Sequence, residues 1–171
     1  PIAFIMTDIK TKEERSRNMA AIKSKDTTPE MLVRRFLHAA GFRYRLHERK
    51  LPGCPDLVFP SLHTVIFIHG CFWHGHENCK YFRLPKSNEV FWQKKISCNI
   101  ERDANVRTEL LKHNWNVIII WECDLKIKSR REETLEKLAT TLSDIRNNIY
   151  PHPRHQFVAA AEPETPYGVN M

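Results

Sequence analysis

The stretch Asn116 to Trp121, reached through a long amphipathic segment, limits the folds open to this chain more than any other part of it. Asn-Val-Ile-Ile-Ile-Trp is β-branched and aromatic, the most strand-like stretch in the chain. The preceding segment reads as a helix from Ser87, a capping residue, to about Lys112, with Ile96, Ile100, Ala104 and Leu111 on one side. A strand entered from so long a helix cannot be the return arm of a hairpin. It must lie parallel to an earlier strand through a crossover, so the chain is α/β.

The earlier strands are read at Asp56 to Phe59 and Thr64 to Ile68, antiparallel across a brief turn at Pro60 and Ser61. Phe42 to His47 alternates as an edge strand would, and Leu51-Pro-Gly-Cys-Pro interrupts it as a turn. Ser16 to Lys23 reads as a short helix. A second begins at Thr28, ahead of Pro29, and runs to about Ala40 with Met31, Leu32, Phe36 and Leu37 at helical spacing and Gly41 as its stop. Glu132 to Ile149 is a last amphipathic helix. The expected core is α-β-β-β-α-β: a mixed central sheet flanked by helices.

The 171 residues suffice for one well-packed core, expected at 14–150 between a flexible 1–13 and a flexible, proline-rich 151–171. The residues before Met6 are set aside. A formal charge of +7 favours a polyanionic partner, because clustered Lys and Arg are rewarded by counterion release from nucleic acid. Arg15, Arg17, Lys23 and Lys25 form one such basic group. No apolar run approaches the ~18 residues of a membrane span, and Pro1 to Lys10 lacks the pattern of a secretory signal. A cytoplasmic location is expected, in which five cysteines suit metal ligation better than disulfides.

Cys71, His76 and Cys79 lie close enough in sequence to converge on one ion, and Cys123, just past the Asn116 to Trp121 strand, completes a tetrahedral set. Three sulfurs and one imidazole favour zinc, and a closed four-ligand shell makes it structural. The plainer reading is buried thiols beside an exposed histidine. His69 and His74 are left over from this set.

Pro55-Asp56 at a strand entrance, followed by a strand ending at Ile68-His69, resembles the half-site of the PD-(D/E)xK nucleases. A strand-borne aspartate is a hard oxygen ligand suited to magnesium, although most Pro-Asp pairs are turn chemistry. The acid and lysine of that pattern are missing from the second strand, where Phe67, Ile68 and His69 stand; a main-chain oxygen at Ile68 can substitute as a ligand. His74 is then the best general base, with Asp103 to orient it. Glu30 either meets the dipole of its helix or supports the metal through water.

Phe72 and Trp73 sit in a polar loop, where a core role is strained, and such rings can enter a base stack. Trp92, Lys95, Asn99 and Asp103 share one helical stripe, either a solvated face or a surface from which Lys95 and Asn99 reach DNA. Met19 is a further wedge or a core residue.

Taken in order, Arg15-Ser-Arg-Asn-Met19, Lys25-Asp-Thr, Glu30, Leu51-Pro-Gly-Cys-Pro-Asp56, Val65-Ile-Phe-Ile-His-Gly-Cys-Phe-Trp-His74, Phe91-Trp92, Asn99-Ile-Glu-Arg-Asp103 and Trp121-Glu-Cys123 resemble the very-short-patch-repair (Vsr) endonucleases. The resemblance implies a restriction-endonuclease-like fold and a monomeric, magnesium-dependent enzyme. Such an enzyme nicks double-stranded DNA 5′ to the mispaired T of T:G mismatches left by 5-methylcytosine deamination, with repair proteins as further partners near the bacterial nucleoid. It also implies catalytic roles for Asp56, His74, Asp103, Glu30 and His69, magnesium on Asp56 and the Ile68 main chain, and zinc on Cys71, His76, Cys79 and Cys123. DNA contacts fall to Met19, Phe72, Trp73, Trp92, Lys95 and Asn99.

Two features depart from the family pattern: Ile68 replaces a threonine, and the His76 to Cys79 loop is one residue longer. The alternatives are a Vsr-like restriction endonuclease that cuts matched duplex and a non-enzymatic, zinc-stabilised DNA-binding module.

Overall fold

The computed structural model describes residues 11, 13–14, 17, 20–21, 25–85, 88–147 and 157–158. Most of the expected Ser16 to Lys23 helix lies outside them, as do Met19, Arg15 and Ser87; Arg17 and Ala20 are helical. The elements in chain order are α1 (Thr28–Ala39), β1 (Arg45–Leu46), β2 (Leu57–Phe59), a 3-10 turn (Pro60–Leu62), β3 (Thr64–His69), α2 (Glu89–Lys112), β4 (Asn116–Trp121), α3 (Glu122–Lys126), α4 (Lys128–Arg146) and β5 (Phe157–Val158).

The mixed sheet runs β1-β2-β3-β4, with β5 outside β4. β1, β2 and β3 are antiparallel to one another in turn, and β4 returns parallel to β3 in the register Thr64 with Asn116 through His69 with Trp121. That is the crossover expected from the helix-to-strand order. Phe157 and Val158, in the segment read as a tail, pair parallel with Ile118 and Ile119.

Alternate residues of each strand feed opposite faces, so the sheet has two cores. Leu57, Phe59, Ile66, Ile118 and Ile120 pack with Val33 and Leu37 of α1, Leu125 of α3 and Leu135, Leu138 and Leu142 of α4. Val58, Val65 and Val117 point the other way, against Leu110 of α2. A strand set apolar on both faces and covered by helices on each accounts for the unbroken hydrophobic runs in the sequence. No helix among the described residues is long and apolar enough to cross a membrane.

Three expectations are corrected. The cap of α1 is Thr27, one residue earlier than read, and its hydroxyl accepts from the Glu30 amide while donating to Glu30 Oε1 at 2.9 Å. The Glu30 carboxylate also accepts from the Asp26 amide at 3.0 Å, so three hydrogen bonds around the helix start hold Glu30 in place. The Phe42 to His47 strand shrinks to Arg45–Leu46, because His47 takes a left-handed φ of 47°. On α2, Ile100 is 45% exposed, and the inward stripe is instead Ile96, Asn99, Asp103, Val106 and Leu110. Their 3-4-3-4 spacing is as helical as the expected one. Polar Asn99 and Asp103 mask it in the sequence because their partners lie on a distant loop.

Candidate active site and metal centre

The carboxyl ends of β3 and β4 lie side by side, and the chemistry gathers there. This is where open α/β sheets place their sites, since the loops leaving parallel strands diverge and leave a crevice. The loop after β3 carries Cys71 to Cys79, and Cys123 follows β4 directly.

Ligand atoms of Cys71, His76, Cys79 and Cys123 all lie within 4.8 Å of one another. Cys71 and Cys123 are buried, and His76 Nδ1 stands 3.4 Å from Cys123 Sγ. The His76 ring lies flat on Trp121, with centroids 3.9 Å apart, which fixes its orientation. Without a cation the set is electrostatically awkward. Burial pushes the Cys71 thiol up, and burial together with Asp124 and the neighbouring thiols pushes Cys123 up further. A bound divalent cation reverses that by favouring the thiolates, so this donor set fits a metal.

A second group, His69, His74 and Asp103, also lies within 4.8 Å. His74 Nδ1 meets Asp103 Oδ2 at 2.5 Å, and the His69 ring stacks on His74 at 3.8 Å between centroids. Arg102 adds two hydrogen bonds to Asp103 Oδ1, at 3.0 and 3.3 Å. Burial draws the Asp103 carboxyl upward, but the His74 and Arg102 contacts outweigh it and hold the group below the usual carboxylate range. Asp103 is therefore an anion fixed on one ring nitrogen. That leaves His74 Nε2 as the nitrogen able to accept a proton. Burial, seconded by His74, lowers the pKa of His69 to about 3, so the stacked partner is uncharged near neutrality.

Asp56, just before β2, accepts a 2.7 Å hydrogen bond from the Ile68 amide. Burial raises its pKa against that hydrogen bond, and nearby Glu30 raises it further. A half-buried carboxyl beside a second carboxylate is a site that gains from a cation. Asp56, Ile68, His69, His74, Asp103 and Glu30 line one cleft of about 750 Å³, with Lys25, Arg102 and Arg107 adding positive charge to its walls.

Phe72, Trp73 and Trp92 form an edge-to-face cluster with centroids 5.1 to 6.1 Å apart, all partly exposed. Phe91 extends it and is 60% exposed. Lys95 is exposed on α2. Asn99 is 9% exposed and donates to the Trp73 carbonyl at 2.8 Å, so it holds the aromatic loop from beneath. Met19 falls outside the described residues.

Sequence reasoning passed over Arg34 and His47, which surround Glu30. The Glu30-to-Arg34 spacing of one helical turn was an available signal; His47 offered none, because it arrives from another loop.

Residues 7–80 match the family model described as DNA mismatch endonuclease Vsr. A type II nicking enzyme, V.NmeAIP, from Neisseria meningitidis serogroup A is 49% identical over 139 residues, covering 81% of this chain and 99% of that protein. A type II nicking enzyme, V.XorIIP, from Xanthomonas oryzae is 44% identical, covering 78% of this chain and 97% of its own length. The DNA mismatch endonuclease Vsr of Escherichia coli K12 is 40% identical over 139 residues, covering 81% of this chain and 87% of that one. The class is therefore that of the DNA endonucleases, which hydrolyse a phosphodiester within a strand. Within it, the chain belongs to the Vsr family.

Proposed function

We propose that this chain is a magnesium-dependent DNA endonuclease that nicks 5′ to the mispaired T of T:G mismatches and so initiates very short patch repair. The observation that carries the reading is the His74–Asp103 pair, 2.5 Å apart, in the same cleft as the Asp56 carboxyl and beside a cluster of partly exposed rings.

In this reading Asp56 and the Ile68 carbonyl hold magnesium, which when bound supplies charge to the phosphate and acidifies water. His74 Nε2 takes the proton of the attacking water as its oxygen bonds to phosphorus; the bond to the preceding nucleotide's 3′ oxygen breaks, its electron pair stays on that oxygen, and solvent supplies the proton that makes the 3′ hydroxyl. Asp103 fixes the ring so that Nδ1 donates and Nε2 accepts, and it stabilises the imidazolium that forms. Glu30, held by the Thr27 hydroxyl and the Asp26 amide, supports the metal site from α1. His69 packs against the face of His74 without adding charge. Phe72, Trp73 and Trp92 enter the base stack at the mismatch. A T:G pair costs less to unstack than a matched pair, so these wedges select it. Lys95 reaches the DNA near the mismatch, and Asn99 supports that region by holding the aromatic loop. Cys71, His76, Cys79 and Cys123 hold a structural zinc, which ties the loop bearing His74 to the end of β4; with four protein ligands it leaves no position for substrate.

A second reading has support of its own: two of the relatives at 44% identity or more are named type II nicking enzymes. The chain would then act as a restriction-type nickase on matched duplex. Strand-labelled T:G heteroduplexes with randomised flanks, and their C:G counterparts, are incubated with protein and magnesium or with chelator. A magnesium-dependent nick on the T strand of the heteroduplex alone is expected. Equal cutting of the matched duplex rejects mismatch selection in favour of the second reading. Asp56→Ala should abolish nicking yet retain DNA binding by gel shift, and loss of binding instead would remove the metal role given to Asp56.

A further inference from the structure

At the α1 end of the cleft, Asp26, Glu30 and His47 present ligand atoms within 4.8 Å of one another, a spacing that suits a divalent cation. The space between them already holds a charge. The Arg34 guanidinium donates through Nη1 to Asp26 Oδ1 and through Nη2 to Glu30 Oε2 at 2.8 Å, and Nη2 also meets His47 Nε2 at 2.8 Å. Arg34 is 5% exposed and Glu30 4%. The remaining contacts of Glu30 come from Thr27 Oγ1 at 2.9 Å and the Asp26 amide at 3.0 Å. Both Asp26 and His47 take left-handed backbone conformations, with φ of 53° and 47°, to face the same point.

A buried guanidinium is planar and permanently charged, so it can occupy a cluster of oxygen and nitrogen donors much as a metal would, but with fixed geometry. Its Nε has no partner among the described residues. Ion networks of this kind contribute little to stability over an apolar replacement, which leaves placement of the charged groups as the gain to be explained. Glu30 and His47 line the same cleft as Asp56, so what fills this cluster decides which carboxylates remain open to metal.

We propose that Arg34 is a positioning residue that serves as a built-in cation. It fills the Asp26–Glu30–His47 cluster, pins Glu30 beside the cleft, and thereby confines the catalytic divalent ion to Asp56. The inference deepens the magnesium-dependent nuclease reading and rests on it for the nicking arm only. Removal of the guanidinium leaves two carboxylates and an imidazole at ligand spacing, and that vacated cluster recruits a metal of its own.

The test is the number of Mn²⁺ ions bound per zinc-loaded chain, measured by electron paramagnetic resonance for the parent, Arg34→Gln, Arg34→Lys and Arg34→Gln/Asp26→Ala. Arg34→Gln is expected to bind one more Mn²⁺ than the parent; Arg34→Lys and the double variant are expected to match the parent. Nicking by Arg34→Gln at saturating Mg²⁺ should fall about tenfold with KM for DNA within about twofold, and Arg34→Lys should recover most of the loss. Should Arg34→Gln fail to fold, Arg34→Met keeps the volume without the charge and is read in the same way. Parental Mn²⁺ stoichiometry in a folded Arg34→Gln or Arg34→Met overturns the proposal, as does an extra ion that survives Asp26→Ala. Mn²⁺ counting needs no substrate, so failure to nick T:G duplex with the stoichiometry as expected refutes the mismatch reading and leaves the clamp standing.

Discussion

Gly75→Ala probes the loop on which both the metal cluster and the His74 pair depend. Gly75 separates His74 from His76 and has a φ of +61°. A Cβ there would lie 2.6 Å from Ile100 Cδ1, 3.1 Å from Ile100 Cγ1 and 3.0 Å from Ile96 Cγ2. These contacts differ in how readily they yield. Ile100 is 45% exposed, so its terminal methyl can swing away into an off-rotamer position for about 0.5–1.5 kcal/mol. Ile96 is 4% exposed and would have to give by a few tenths of an ångström. The left-handed backbone adds about 1–2 kcal/mol for any residue with a Cβ. The sum is a loss of about 1.5–3.5 kcal/mol, with backbone strain the larger share. Urea unfolding at constant free zinc reads the loss directly. Adding Ile100→Ala should restore no more than about 1 kcal/mol, because it relieves the contact and leaves the strain. Zinc retention against a chelator and the nicking rate should fall together, since the same backbone carries His74 and His76. A Gly75→Ala protein within about 0.5 kcal/mol of the parent, or one fully rescued by Ile100→Ala, would refute the assignment of strain to this glycine.

His74→Ala should slow single-turnover nicking by about a hundredfold or more, Asp103→Asn by less, and the double variant by no more than His74→Ala alone, because Asp103 acts through His74. A further hundredfold loss in the double variant would show that Asp103 has a separate role. For His69, the native pKa of about 3 lies below its ordinary 6.5. The unfolded chain therefore binds that proton more tightly, and the contribution to stability is intact above pH 6.5 and lost as pH falls toward 3. Between those limits the slope is about 1.4 kcal/mol per pH unit, or about 2 kcal/mol by pH 5. Urea unfolding at pH 5 and 7 should give a smaller pH difference for His69→Gln than for the parent. Equal differences would mean that His69 is not held neutral by burial.

Where polarity and packing coincide along the chain, the sequence was readable. Asn116 to Trp121 is apolar on both faces and follows a long helix, which leaves a parallel central strand as the economical solution, and β4 lies parallel to β3 over that span. Cys71, His76, Cys79 and Cys123 are metal-ligand residue types, three of them within nine residues of chain, and the four do converge. The reading failed where a polar residue faces inward. Asn99 and Asp103 lie on the buried side of α2 because their partners, the Trp73 carbonyl and His74, come from a loop 26 and 29 residues away in sequence. Helical periodicity scored on apolarity alone therefore chose the neighbouring stripe, and with it the exposed Ile100.

Local chemistry alone thus determines the α/β order, the donor-rich loop after Ile68 and the start of α1 to within a residue, since each depends on neighbours within a turn or two of chain. The tertiary structure decided which carboxylates and imidazoles meet. Asp56 finds the Ile68 amide, His74 finds Asp103, and Arg34 finds Asp26, Glu30 and His47. Those meetings depend on sheet register, on the face α2 turns inward, and on left-handed turns at Asp26 and His47. Such quantities follow from the packing of the whole chain, and no local window of sequence contains them.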